Sequence, residues 1–162
     1  MAAATFNHVG IGVADITAAV AWYGEVFGFR LVRGPFEVCS DVDEQARDVL
    51  GPSFRHMWMA HMATADGIGI ELFQLIDPPH ERRKPALEYW RSGVFHIAFT
   101  TDDVAALANR VVDHGGRQRS AVWHNQLPHP TKKMVYLEDP WGTIIELYSH
   151  RYEVMYDGAE SR

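Results

Sequence analysis

FNHVGIGVADI at residues 6–16 and VFHIAFTTDDV at residues 94–104 lie side by side so that His8 falls on His96 and Asp15 on Asp103, an offset of 96 − 8 = 88. In the first stretch Val9, Ile11 and Val13 take one face of a strand, and His8, Gly10 and Gly12 the other. Further along, IELF at 70–73 aligns with IELY at 145–148, which sets Glu71 on Glu146 at an offset of 146 − 71 = 75. The difference, 88 − 75 = 13, requires extra residues in the first half, and the polar, Gly/Pro-bounded stretch 40–53 is the natural place for them. The chain therefore reads as a duplication, each half β-α-β-β-β.

Working outward, Asp15 is a plausible N-cap for a helix over ITAAVAWYGEVFG, with Gly28 suited to its left-handed end. Strands follow near FRLVRGPFEV, RHMWMAHMAT and IGIELFQLI, and a helical turn or two is expected around DEQARDVL. Residues 77–93, rich in proline and charge, read as a linker with a short helix. Asp102 or Asp103 caps a helix over DVAALANRVVDHGG, and strands near RQRSAVWH, KKMVYLED and TIIELYSH complete the second half, with DPWG at 139–142 as a turn. The expected organisation is α+β: a first βαβββ module at 4–76, the linker at 77–93, a second βαβββ module at 94–150 and a tail at 151–162.

Composition bounds the function. Hydrophobic residues make up 47% and charged residues 22%, which is globular rather than disordered, and a net charge of −6 argues against a nucleic-acid partner. The single cysteine, Cys39, rules out an intramolecular disulfide and a cysteine-based zinc site. No signal peptide stands at MAAATFNHVG and no apolar run approaches the ~18 residues of a membrane span, so a cytoplasmic protein without membrane contact is expected.

Two His and two Glu at equivalent positions make a plausible cage for one divalent cation. Imidazole nitrogen with carboxylate oxygen suits Zn, Ni, Co, Fe or Mn better than Ca or Mg. One His or Glu inside an apolar strand is more often a hydrogen-bonded structural residue, but His8, Glu71, His96 and Glu146 come in two registered pairs. Glu71 and Glu146 each have aliphatic neighbours on both sides, so burying either carboxylate unpaired would be costly.

FNHVGIGVADITAAVAWYGEVFGFRLV, GIGIELFQL, FHIAFTTDD and YLEDPWGTIIELYSH resemble the vicinal oxygen chelate superfamily, the glyoxalase, bleomycin-resistance and dioxygenase group, from about Phe6 to His150. The resemblance implies that the paired modules curl into an open barrel with helices outside. It also implies that the first and fourth strands of each module supply a metal ligand, which lands on His8, Glu71, His96 and Glu146. That ligand set resembles bacterial glyoxalase I, with methylmalonyl-CoA epimerase close. The implied chemistry is a metal-dependent lyase or isomerase that polarises adjacent substrate oxygens and shuttles a carbon-bound proton, with Glu146 as base and Glu71 as alternate. The alternatives are an Fe(II) extradiol-type dioxygenase and a metal-free small-molecule-binding resistance protein. A homodimer, sometimes sharing ligands across chains, is the family's habit.

For the substrate, Arg91 is the strongest of the cationic anchors, which also include Arg82, Arg83, Lys84, Lys132 and Lys133, and Tyr89, Trp123 and Tyr136 are the expected aromatic contacts. His56, His61, Trp58, His124 and His129 add to a His-rich, aromatic set near the expected cavity. DPWG departs from the usual glyoxalase I reading, as does the aromatic character of this set, and a planar or hydrophobic substrate becomes a candidate beside glutathione adducts.

Overall fold

The computed structural model describes residues 3–84, 86–124 and 131–157. The chain divides into two compact units, Met1–Arg82 and Arg83–Arg162.

The first unit runs β1 (His8–Gly12), α1 (Ile16–Phe27), β2 (Arg30–Cys39), α2 (Glu44–Leu50), β3 (His56–Ala63) and β4 (Gly69–Asp77). Its sheet has the order β1-β4-β3-β2, with β1 parallel to β4 and the other pairs antiparallel. Helix α1 starts where Asp15 Oδ1 accepts from the Ala18 amide at 2.9 Å and ends at Gly28, whose φ of 71° suits a residue without Cβ. It buries Ile16, Ala19, Trp22, Tyr23 and Val26. The Ile16 amide donates to Gln74 Oε1, so α1 sits on the face of β4 that also carries Ile70 and Leu72, which are 1% and 0% exposed. The opposite face carries Glu71, Phe73 and Leu75. At one end of that opposite face, Ala46 of α2 and Phe54 pack with Val38, Met57, Met59 and Phe73. The extra residues of the first half thus fold as a capped helix, with Asp43 accepting from the Ala46 amide at 2.8 Å.

The second unit repeats the plan with β5 (Ile97–Thr100), α3 (Val104–Asp113), β6 (Arg117–Gln118), β7 (Trp123–His124), β8 (Lys133–Glu138), β9 (Ile144–Tyr148) and α4 (Tyr152–Tyr156). Its sheet order is β5-β9-β8-β6, with β5 parallel to β9 and β7 also paired to β8. Asp103 Oδ1 accepts from the Ala106 amide at 3.0 Å, as Asp15 does in the first unit, and Val104, Ala108 and Val111 are the buried face of α3. The first strand of each unit lies parallel beside its last, so the sequence repeat is a topological one.

Three segments depart from the sequence expectation. RQRSAVWH is two short strands, because the Tyr136 carbonyl takes both the Arg119 and Ser120 amides while the Tyr136 amide donates to Ser120 Oγ. No helix forms among the described residues of 77–93, where three prolines in DPPHERRKP remove backbone donors. Part of the expected tail is α4, anchored by fully buried Met155 and by Lys132 Nζ donating to the Asp157 carbonyl at 3.1 Å. Among the described residues no helix is long and apolar enough to cross a membrane.

Candidate metal centre

In the first unit, β1 and β4 bring His8 Nε2 to 3.4 Å from Glu71 Oε2. His8 Nδ1 is 2.8 Å from Asn7 Oδ1. An amide oxygen there calls for the proton on Nδ1, which leaves Nε2 as the nitrogen with a lone pair toward Glu71. Gly69 lies opposite His8 in the parallel ladder, and a Cβ on it would stand 2.8 Å from the His8 Cβ. The backbone of β4 therefore comes close beside His8 only because residue 69 has no side chain. On the other side, β3 places His61 directly opposite Glu71, with His61 Nδ1 3.3 Å from Glu71 Oε1. Phe36 stacks on His61 with centroids 5.6 Å apart, and the Arg33 guanidinium lies 4.5 Å from the Phe36 centroid.

The second unit holds the matching pair. His96 immediately precedes β5, and its Nε2 is 3.2 Å from Glu146 Oε2. The rings of Phe95 and Tyr136 meet the imidazole edge-to-face, at 4.7 and 5.6 Å between centroids. Glu146 is only 2% exposed, and its Oε1 is buried and accepts no hydrogen bond. Tyr136 faces Glu146 across β8 and β9, and Tyr148 is on the same side of β9 two residues on. Burial, together with the Glu146 carboxylate beside its hydroxyl, pushes the Tyr136 phenol up to about 12. The Tyr148 phenol is raised further, by burial first and then by its neighbours Tyr156 and Glu146. The two hydroxyls Tyr148 and Tyr156 are 2.9 Å apart, so α4 closes a cluster of phenols around the buried carboxylate.

The duplication extends past the ligands. Positions 61 and 136, 71 and 146, and 73 and 148 each differ by 75, so Tyr136 stands to Glu146 as His61 stands to Glu71, and Tyr148 as Phe73 does. Asn7, Tyr148 and Tyr156 were not among the residues the sequence singled out. The alignment of IELF with IELY, which sets Phe73 on Tyr148, would have pointed to Tyr148, and the same 75-residue offset on the preceding strands pairs His61 with Tyr136.

Each unit thus offers one imidazole nitrogen and one carboxylate at contact distance, a donor set that suits first-row transition cations. A buried carboxylate oxygen without a partner is the kind of group a cation relieves, since leaving it bare costs about 1–3 kcal/mol or more. Among the described residues no group of three or more His, Cys, Asp or Glu is arranged to hold a metal ion, so the His8–Glu71–His61 row is a chain of contacts and no cage by itself.

Of the expected substrate contacts, Tyr136 stands at the His96–Glu146 pair. Arg91 is exposed and pairs with Glu88 at 3.0 Å. Tyr89 is exposed, edge-on to Trp90 at 5.2 Å. Trp123 is exposed on β7 opposite Met134. Lys132 is buried in its bond to the Asp157 carbonyl. His56 and Trp58 alternate onto the face of β3 away from Glu71, leaving His61 as the His beside it. His129 lies outside the described residues.

A sequence profile of the Glyoxalase/Bleomycin resistance protein/Dioxygenase superfamily matches residues 5–147. No curated protein matches the chain. Among solved structures, a glyoxalase family protein from Bacillus cereus is 23% identical, with 88% of this chain and 91% of that one covered and a TM-score of 0.71. A glyoxalase I mutant from Zea mays is 19% identical over 90% of this chain and 45% of that one, at a TM-score of 0.61. A mutant of the fosfomycin resistance protein FosX from Listeria monocytogenes, solved with Mn(II) and 1S,2S-dihydroxypropylphosphonic acid, is 12% identical over 99% of this chain and 100% of that one, at a TM-score of 0.62. These likenesses speak for the fold. With the profile matching most of the chain, and with two units that each lay their first strand parallel beside their last and bring a His to a Glu, this protein belongs to the glyoxalase/bleomycin resistance/dioxygenase superfamily, the vicinal oxygen chelate group.

Proposed function

We propose that His8, Glu71, His96 and Glu146 together hold one divalent cation, one of Zn, Ni, Co, Fe or Mn, and that the chain is a lyase or isomerase of the glyoxalase I type. The observation that carries this reading is the recurrence of a His–Glu contact at equivalent positions of both units, 3.4 Å in the first and 3.2 Å in the second. The buried, unpartnered Glu146 Oε1 adds an acceptor that needs a positive partner.

A cation held there would supply Lewis acidity, drawing electron density from adjacent substrate oxygens and acidifying the neighbouring C–H. The chain's own groups do the rest. Glu146 is the carboxylate that takes the proton from one carbon and returns it to the next, because burial between Tyr136 and Tyr148 keeps water from it. Tyr136 and Tyr148, protonated at neutral pH, stand beside the carboxylate as neutral groups and enclose it. Glu71, half-buried and flanked by His8 and His61, is the alternate base. The substrate is a small molecule with adjacent oxygens, and the working assembly is a homodimer.

The test is turnover of a glutathione–methylglyoxal hemithioacetal, with deuterium exchange from solvent into the carbon beside the carbonyl. Exchange lost in Glu146→Gln supports the reading. Oxygen uptake with a catechol in place of exchange would favour the dioxygenase alternative, and a metal-free protein that binds small molecules without turnover would favour the resistance-protein one. A monomeric mass in light scattering at micromolar concentration would contradict the dimer.

A further inference from the structure

His61 contacts one oxygen of the Glu71 carboxylate while His8 faces the other: Nδ1 of His61 is 3.3 Å from Oε1, and Nε2 of His8 is 3.4 Å from Oε2. A carboxylate on a strand can rotate about its side-chain torsions, and ordering it for a ligand costs side-chain entropy. A donor fixed on the neighbouring strand removes that freedom beforehand. His61 is itself fixed. It is directly opposite Glu71 in the β3–β4 ladder, its ring is stacked at 20° on Phe36, and Phe36 in turn carries the Arg33 guanidinium.

The same place in the second unit is taken by Tyr136, whose hydroxyl lies against Glu146. Both carboxylates are thus held by a side chain that can donate a hydrogen bond from the adjacent strand, though the donors differ in kind. The histidines of the two units are not equal: His8 and His96 occupy equivalent positions, whereas His61 is the counterpart of a tyrosine.

We infer that His61 is a positioning residue that holds Glu71, through its Nδ1–H on Oε1, in the orientation that presents Oε2 beside His8 for the cation. This rests on the metal reading of the site given above. Loss of such an outer partner weakens metal binding by about 10- to 100-fold in comparable sites.

Co²⁺ is the probe, titrated into metal-free protein and followed by its visible absorption bands. Two variants separate the roles of His61. His61→Phe keeps the stack on Phe36 and removes the nitrogen; His61→Asn loses the ring and can keep an amide donor near the Nδ1 position. The expected result is Co²⁺ affinity about 10- to 100-fold weaker for His61→Phe, at a melting temperature close to wild type, with His61→Asn recovering most of the loss. A stacking role alone predicts the reverse order, with Phe preserved and Asn impaired, and would overturn the inference. So would an unchanged affinity in both variants. A third imidazole on the cation, counted by electron spin-echo modulation of the Cu²⁺ form and lost in His61→Phe, would make His61 a ligand and also overturn it. Wild-type protein that takes up no Co²⁺ at all would sink the metal reading together with the inference, an outcome distinct from a wild type that binds while the variants match it.

Discussion

Gly69 and His8 face each other across β4 and β1 so closely that a Cβ on Gly69 would stand 2.8 Å from the His8 Cβ. Backbone dihedrals do not demand glycine there; the neighbour does. Gly69→Ala is therefore expected to push the imidazole away from Glu71 and to weaken Co²⁺ or Zn²⁺ binding by an order of magnitude or so, while the fold tolerates the strain. Isothermal titration of metal into the variant and wild type checks this. Equal affinities would show that the close approach has nothing to do with the site.

Asn7 acts on the same imidazole from the other side. Its Oδ1, 2.8 Å from His8 Nδ1, sets which nitrogen carries the proton. Asn7→Leu should free the ring to take either tautomer, and the nitrogen-15 shifts of His8 should move from one tautomer toward a mixture. An unchanged spectrum would mean that the tautomer is set elsewhere.

The phenols of the second unit give a pH prediction for the metal-free protein. The chain has six tyrosines, and Tyr136 and Tyr148 are raised above the ordinary value near 10. A phenol whose folded-state pKa is raised contributes stability that is complete below pH ~10 and is lost as pH climbs through the folded value, about 12 for Tyr136. Ultraviolet titration should show one late-ionising tyrosine fewer in Tyr136→Phe than in the wild type. All six ionising together near the ordinary value in the folded state would contradict the buried cluster.

Stability should follow the duplication as well. Leu72 and Leu147 are equivalent, both 0% exposed, and both point away from the face that carries the Glu beside them. Truncating either to Ala removes a fully packed side chain and should cost about 2–5 kcal/mol. Denaturant unfolding measures this, and a loss below about 1 kcal/mol for either would mean that the strand is less well packed than its burial indicates.

Much of this was legible in the sequence, because its main signals are local. Asp15 and Asp103 cap helices by a contact three residues long, and the alternation around Glu71 and Glu146 needs only a period of two. What was not legible depends on register between strands. His61 belongs beside Glu71 only because β3 pairs with β4 at that step, and β2 reaches Phe36 over His61 through two irregularities between Leu31 and Phe36. His96 was expected inside a strand and precedes it; α4 was missed because five residues carry too little periodicity, and its place depends on Met155 and Tyr156 finding partners in the second unit.

Metal content tests the central claim most directly. Elemental analysis of the chain purified without chelator, and of the same chain stripped and reloaded with Co²⁺, should give one divalent cation per chain. That cation should be lost alike in Glu71→Ala of the first unit and Glu146→Ala of the second. Full occupancy surviving either substitution, or a wild type that holds no cation under both conditions, would contradict a single ion shared by the two halves.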